Sequence, residues 1–508
     1  CTWPKMLKYF IGHLALVLGH TTAFSTLRVT ERSLIRLQSS NPIGGFMRKT
    51  FAGLTGLSKD LTVDISSFED PAVHGLTWEF VKTQLHASQT PSERNFRADL
   101  SAGTGPNNAK ANLRLFDAPE GTEPRITFYR DSASWCPYCH KVWLCLEERR
   151  LPYKVERVNM SCYGDKPASF RRLQPSGQIP VCVIDGQVYG QSNEIIDALE
   201  RFTVDYGGVD ADKNKNKNPS LYPPAGSSLA SQVAPLLRLE RQFFGAWLQW
   251  LCGGSGARLK FEFETVLGEV ESVLAASSEQ GPYFLGASFT VVDAMFAPFL
   301  ERAAGSLVYF KGYRFRGGKT AAGEGPRGRW PHVNAWFDAM ESRPSYRATM
   351  SDFYTHAHDL PPQLGGCPSD PAAKPFADAL DGLQQSNGGG GGAWSLDSLS
   401  EESGAVEAFT GEPAWTWVEP SAAKREACER LAENSQAVAR FAARGAGRAG
   451  VPAVRASLAD PNAVSCEDVV PVVDACLRVV ALHLLQNSTA QAQSLAGGGG
   501  GGGGGSGA

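Results

Sequence analysis

Neither sign of charge dominates this sequence: 49 Lys and Arg stand against 52 Asp and Glu, a formal net charge of −3. That balance removes the electrostatic footprint by which a nucleic-acid partner is read. A long apolar run is also missing. The best candidate, "YFIGHLALVLG" at residues 9–19, is too short for a comfortable membrane span. A disulfide framework is missing too. The eleven cysteines, at 1, 136, 139, 145, 162, 182, 252, 367, 428, 466 and 476, are odd in number and irregular in spacing. They suit a reducing compartment better than a secreted scaffold. The chain holds one CxxC, at 136–139, with no second CxxC, and outside this motif no CxxxH or HxxxH partner stands out to complete a zinc site. What remains is ordinary: 508 residues, 42% hydrophobic and 20% charged, enough for two or three globular domains.

The first 59 residues read as address rather than fold. Lys5 and Lys8 precede the apolar run, and Thr21 and Ala23 supply small residues where a signal peptidase cuts, just before Phe24. From Thr26 to Lys59 the only acid is Glu31, against Arg28, Arg32, Arg36, Arg48, Lys49 and Lys59, in a stretch rich in Ser and Thr. A signal peptide followed by a transit-like segment resembles the two-part address of complex plastids. The expected destination is therefore a plastid, with the secretory pathway as the alternative.

Residues 60–122 read as a loop-rich extension with one short helix at "GLTWEFVKTQL". The pattern then sharpens over 123–204. "RITFYRD" is a strand, "CPYCHKVWLCLEERR" a helix and "YKVERVNM" a strand. "IPVCVIDGQVYGQS" is a hairpin turned at Asp185-Gly186, and "NEIIDALERF" is a helix capped by Ser192 or Asn193. This β-α-β then β-β-α order is the layout of a thioredoxin-type α/β domain. Residues 205–228 form a polar linker, 229–360 an all-helical domain, 361–414 a Gly/Pro-rich spacer, 415–487 further helices and 488–508 a disordered Gly-rich tail. Within the helical domain, Thr290 and Asp293 have the spacing of a capping box. "FFGAWLQW" at 243–250 reads as core, with the lining of an acceptor pocket as the alternative.

The CxxC favours redox chemistry over structure. It follows a strand and opens a helix. Pro137 falls at the first helical position, where its missing N–H costs nothing. Cys136 becomes the N-cap, its sulfur facing the free N–H groups of Tyr138 and Cys139 and the positive end of the helix dipole. His140, read as a solvated helix residue, and Lys141 add positive charge nearby. All of these favour thiolate over thiol. Cys136 is then the exposed nucleophile, and Cys139, one turn in and more buried, suits a resolving role. Cys145, Cys162 and Cys182 read as buried or incidental thiols.

"CPYC" at this place is similar to the active site of dithiol glutaredoxins. With "IPV" opening the third strand, "QS" ending the hairpin and the helices that follow, residues 123–355 resemble a cysteine-type glutathione transferase of the omega or dehydroascorbate-reductase kind. The resemblance implies a thioredoxin-like domain followed by an all-α domain, with glutathione as co-substrate. It places Cys136 and Cys139 at catalysis, and Tyr138, Lys166, Ile179, Pro180, Gln191 and Ser192 at glutathione. Ile179-Pro180 would be the cis dipeptide that pairs with the cysteinyl part. Gln191-Ser192 would hold the γ-glutamyl end, with Gln191 replacing the commoner Glu. Lys166 would lie near the glycyl carboxylate.

The implied activity is glutathione-dependent reduction of glutathionylated thiols or dehydroascorbate, by a monothiol or a dithiol route. Metal, nucleic acid and a stable membrane span in the mature protein are not expected. A homodimer is among the open assemblies. Two other readings stand beside this one: a non-catalytic binding or assembly module, and a glutathione-ligated iron–sulfur carrier.

Overall fold

The structure is a computed structural model that describes residues 76–119, 121–202, 219–254, 256–317, 326–381, 420–452, 460 and 462–497. It divides into two compact units, residues 1–91 with 416–508, and residues 92–415. The address-like segment 1–59 lies outside the described residues, as does most of the linker at 205–228.

The smaller unit holds helix α1 (Trp78–Ser88) and two C-terminal helices, α13 (Pro420–Ala443) and α14 (Val470–Gly497). Thr77 caps α1 by accepting from the Phe80 N–H. Val81 and Leu85 of α1 are buried with Cys428, Ala481 and Leu485. The Trp78 indole N–H donates to Asp474 at 2.8 Å. Two expectations change here. The 60–122 extension is not one piece, because its first helix belongs with the C-terminal helices. Helix α14 continues to Gly497, past residue 487, since Ala, Gln and Leu in "TAQAQSLA" are good helix formers.

The larger unit begins with α2 (Pro91–Ala102) and a five-stranded sheet: β1 (Leu113–Arg114), β2 (Ile126–Asp131), β3 (Tyr153–Val158), β4 (Val181–Ile184) and β5 (Gln187–Tyr189). The strand order is β1-β3-β2-β4-β5. Strands β2 and β3 are parallel, joined by the crossover helix α3 (Pro137–Glu148); the other pairs are antiparallel. A short helix, α4 (Ala168–Leu173), precedes β4. The β4–β5 turn has positive φ at both Asp185 (50°) and Gly186 (82°), the conformation an Asp-Gly hairpin demands. Helix α5 (Ser192–Arg201) completes the thioredoxin-like domain.

Strand β1 comes from the region read as extension, and it is stitched in. Arg114 is buried and makes a two-pronged pair with Glu147 of α3, at 2.9 and 3.0 Å. The Tyr153 hydroxyl donates to the same carboxylate at 2.8 Å. Arg114→Ala is expected to cost about 3 kcal/mol, because Glu147 stays buried with only Tyr153 as partner. Urea unfolding checks this; a loss under about 1 kcal/mol would mean that β1 does not hold the sheet edge.

The helical domain follows: α6 (Ser228–Gly253), α7 (Ala257–Ser277), α8 (Val291–Lys311), α9 (Pro331–Ser342), α10 (Pro344–Thr349), α11 (Phe353–Leu364) and α12 (Lys374–Leu380). Every residue of α8 is buried, so it is the central helix around which the others pack. The capping box forms: Asp293 accepts from the Thr290 N–H at 2.9 Å and the Thr290 hydroxyl at 3.0 Å. Gly312 ends α8 at φ 64°, and a Cβ there would meet the Ala372 carbonyl oxygen at 2.8 Å, so glycine is required twice over.

Helical packing runs on to residue 381, beyond the 360 read as its end. Pro361 and Pro362 suggested a spacer but fall in the last turn of α11. The Tyr309 hydroxyl donates to Asp381 at 2.9 Å, fastening this segment to α8. The sheet domain and the helices share one hydrophobic core, from Ile126 of β2 to Leu380 of α12. No helix among the described residues is long and apolar enough to cross a membrane.

Candidate active site

Strand β2 ends at Asp131, the chain turns through Ser134 at φ 57°, and Cys136 caps α3 with Pro137 at its first position. The His140 N–H closes the first helical bond onto the Cys136 carbonyl at 3.0 Å. The Cys136 side chain makes no capping hydrogen bond, contrary to expectation. Its sulfur lies within 4.8 Å of the Cys139 sulfur. Cys136 is also less exposed than expected, at 8% against 1% for Cys139. Burial first, then the neighbouring Cys136, pushes the Cys139 thiol well up.

Asp131 is the residue that sequence reasoning missed. One of its carboxylate oxygens and both sulfurs lie within 4.8 Å of one another. Its Oδ2 accepts from the Trp135 N–H, while its buried Oδ1 has no partner. The carboxylate beside the dithiol therefore keeps one acceptor oxygen unused. That donor spacing also suits a metal ion, although a tetrahedral site wants a fourth ligand.

Two further groups come from the helical domain. Arg302 of α8 is buried, donates from Nε to the Trp135 carbonyl at 3.1 Å and from Nη1 to the Pro298 carbonyl at 2.8 Å. Burial lowers its pKa, and the charges of Glu301, Cys136 and Asp131 oppose that, so Arg302 faces the motif as a fixed cation. Asp359 of α11 sits near Asp131. Burial, then the Asp131 charge, push its carboxyl up to about 8. Neither residue carries a signal in the sequence, since each lies far along the chain in an ordinary helix.

Asp359 gives the fold a pH dependence. In an unfolded chain it titrates near about 3.9. Its folded value is raised, so the stability it contributes is complete below that ordinary range and is lost as pH rises through about 8. Asp359→Asn is expected to unfold at nearly the wild-type temperature at about pH 5 and at a higher one at about pH 9. Thermal unfolding across that range checks this; parallel curves would show that Asp359 ionises freely in the folded protein.

The expected positive charge beside the motif is corrected. His140 is buried, not solvated, and burial drives its pKa down to about 3, so it is neutral at pH 7. Its Nε2 lies 3.0 Å from the Thr349 hydroxyl of α10. Lys141 is buried too, and its ammonium is spent on Glu240 of α6 at 2.9 Å. The cause is the helical domain, which covers this face of α3 and which local sequence does not reveal. Arg302 supplies the charge instead.

The remaining expected residues fall around the motif. Tyr138 is half-exposed, with its ring 5.9 Å from Phe299 and Phe299 4.8 Å from Phe244. Phe244 is half-buried and packs against the core, in which Phe243, Trp247 and Trp250 are buried. Lys166 is half-buried and donates to the Asn159 carbonyl at 2.6 Å. Burial and Arg171 lower its pKa, and the charges of Cys139 and Cys136 act in the opposite direction. The Ile179-Pro180 bond is cis and leads into β4, whose Val181 pairs with Tyr129 of β2. Helix α5 is capped by Gln191, not by Ser192 or Asn193, because Ser192 already has helical backbone. No side chain bonds across this end, which leaves first-turn N–H donors of the kind that take a carboxylate.

Residues 135–201 match the family model described as glutathione S-transferase, N-terminal domain, and residues 257–339 match the corresponding C-terminal domain. The chain is 30% identical over 184 residues to "Glutathione S-transferase DHAR2" of Arabidopsis thaliana, covering 35% of this chain and 71% of that protein. The chain belongs to the glutathione S-transferase family. Its co-substrate is accordingly glutathione. Among other glutathione S-transferases, it is 24% identical over 223 residues to "Probable glutathione S-transferase DHAR1, cytosolic" of Oryza sativa, covering 44% of this chain and 86% of that one. A solved structure entitled "Crystal structure of Chlamydomonas reinhardtii dehydroascorbate reductase" matches at a TM-score of 0.34 and 22% identity, over 45% of this chain and 93% of that one.

Proposed function

We propose that this glutathione S-transferase is a cysteine-type thioltransferase that reduces glutathionylated thiols or dehydroascorbate at the expense of glutathione. The observation that carries this reading is the close Cys136–Cys139 pair at a helix start, with the Asp131 carboxylate within 4.8 Å of both sulfurs.

In the first step Cys136 Sγ attacks the glutathionyl sulfur of a mixed disulfide. The S–S bond breaks, the substrate thiolate leaves and takes a proton, and Cys136 carries glutathione. By the monothiol route, a second glutathione thiolate attacks this adduct and releases oxidised glutathione with the Cys136 thiolate. By the dithiol route, Cys139 passes its proton to Asp131 and displaces glutathione, closing a Cys136–Cys139 disulfide that two further glutathiones reopen. With dehydroascorbate, two glutathiones supply two electrons and two protons, leaving ascorbate and oxidised glutathione. Arg302 steadies negative charge at Cys136 throughout. Lys166, Ile179-Pro180, Gln191 and Ser192 are the proposed glutathione contacts, and Tyr138 with Phe299 and Phe244 the proposed acceptor wall.

Asp131→Asn tests the proton acceptor. Closure of the Cys136–Cys139 disulfide is expected to slow by about 10²-fold, with glutathionylation of Cys136 much less affected. Rapid quench with alkylation of free thiols measures both; unchanged closure would remove Asp131 from the mechanism. Metal analysis of the same protein tests the main rival. A stoichiometric metal or a coloured cluster on an unreactive dithiol would replace this reading with a metal-binding one.

The composition of residues 1–59 supports delivery to a plastid. A fluorescent fusion retained in the endoplasmic reticulum would favour the secretory alternative. A homodimer is the proposed assembly, to be measured by sedimentation.

A further inference from the structure

A second cysteine pair meets in the helical domain, away from Cys136. Cys252 lies in the last turn of α6, and Cys367 follows α11. Each thiol lies close enough to the other to shift its pKa. Cys252 is exposed, while Cys367 is half-buried against the helical core. The backbone beside both is clamped by Lys311, the last residue of α8. Its ammonium donates to the Gly254 carbonyl at 3.4 Å and to the Pro368 carbonyl at 2.8 Å. The Asp370 N–H adds a bond to the Phe310 carbonyl at 2.8 Å, and the Asp370 carboxylate lies 3.9 Å from the same ammonium. The fold itself therefore holds the two thiols together.

The two sulfurs are not equivalent. The neighbouring Cys367 outweighs burial and, helped by the Lys311 charge, lowers the Cys252 pKa to about 7. The neighbouring Cys252 and burial raise that of Cys367. An exposed thiol with its pKa near ambient pH attacks disulfides best.

We propose that Cys252 and Cys367 form a second thiol–disulfide exchange site, which accepts a glutathionyl group from oxidised glutathione at Cys252 and closes to an intrachain disulfide. The Cys252 thiolate attacks one sulfur of oxidised glutathione; that S–S bond breaks, and one glutathione thiolate leaves. Cys367 then loses its proton to solvent and attacks Cys252 in the new mixed disulfide. The second glutathione leaves as thiolate, and the cysteine pair has given up two electrons to the glutathione disulfide. Closure ties the end of α6 to the segment that fastens onto α8. This chemistry does not depend on the reading of Cys136, because oxidised glutathione is itself the oxidant.

The test is peptide mapping by mass spectrometry after incubation with oxidised glutathione and alkylation of remaining thiols. The full chain carrying Cys136→Ser is used, so that the first site delivers nothing. The expected result is a linked pair of peptides containing Cys252 and Cys367. Adding Cys367→Ser should instead accumulate glutathione on Cys252, and adding Cys252→Ser should leave Cys367 free. Free thiols at both positions, or glutathione retained on Cys252 while Cys367 stays free, would overturn the proposal. Should the added substitutions prevent folding, the parent protein decides alone: linked peptides support the site and unlinked ones refute it.

Discussion

Replacing Cys136 with serine is expected to lower glutathione-dependent disulfide reduction by at least about 10³-fold, with Cys139→Ser remaining within about tenfold of wild type. The asymmetry follows from position. Cys136 caps α3 and faces the Arg302 charge, whereas Cys139 is buried one turn in, its thiol pushed up by burial and by its neighbour. A serine hydroxyl keeps the shape of the cap but is a far poorer nucleophile toward sulfur. The comparison also separates the two routes. Near-normal turnover in Cys139→Ser means that glutathione resolves the adduct. Loss in both variants means that Cys139 does, and Asp131 then becomes the obligatory proton acceptor.

Asp293→Ala is expected to destabilise the protein by about 4 kcal/mol, measured as a fall in the urea midpoint at unchanged slope. One buried carboxylate serves four donors from three places in the chain. It accepts from the Thr290 N–H and hydroxyl, from the Phe284 N–H at 3.2 Å and from the Trp336 indole N–H at 2.9 Å. Alanine removes the cap of the central helix and strands buried donors together. Asparagine retains one acceptor oxygen and should lose about half as much. A loss below about 1 kcal/mol for alanine would show that α8 is positioned by packing alone.

Much of this was legible in the chain because the signals are local. A CxxC with proline at the first helical position, an Asp-Gly hairpin and a Thr-x-x-Asp box each fix geometry within a few residues, and each forms at its expected place. The Gln191 cap fell one residue from expectation, an ordinary boundary error. What escaped depends on distant packing. Strand β1 is two residues long, too short for periodicity to reveal. His140 looks solvated, and Lys141 a charge available to the motif, until α6, α8 and α10 cover that face of α3. Asp131 ends a strand like any other aspartate, and only the fold brings its carboxylate to the sulfurs. Helix α1 finds its partners at the far end of the chain, where no local pattern could point.

The central claim is that Cys136 carries glutathione as a mixed disulfide. The most direct measurement incubates Cys139→Ser with oxidised glutathione, quenches it with acid and locates the adduct by peptide mapping. A glutathionyl group is expected on the Cys136 peptide, and reduced glutathione is expected to remove it. A Cys136 left unmodified while Cys252 or another thiol carries the adduct would contradict it.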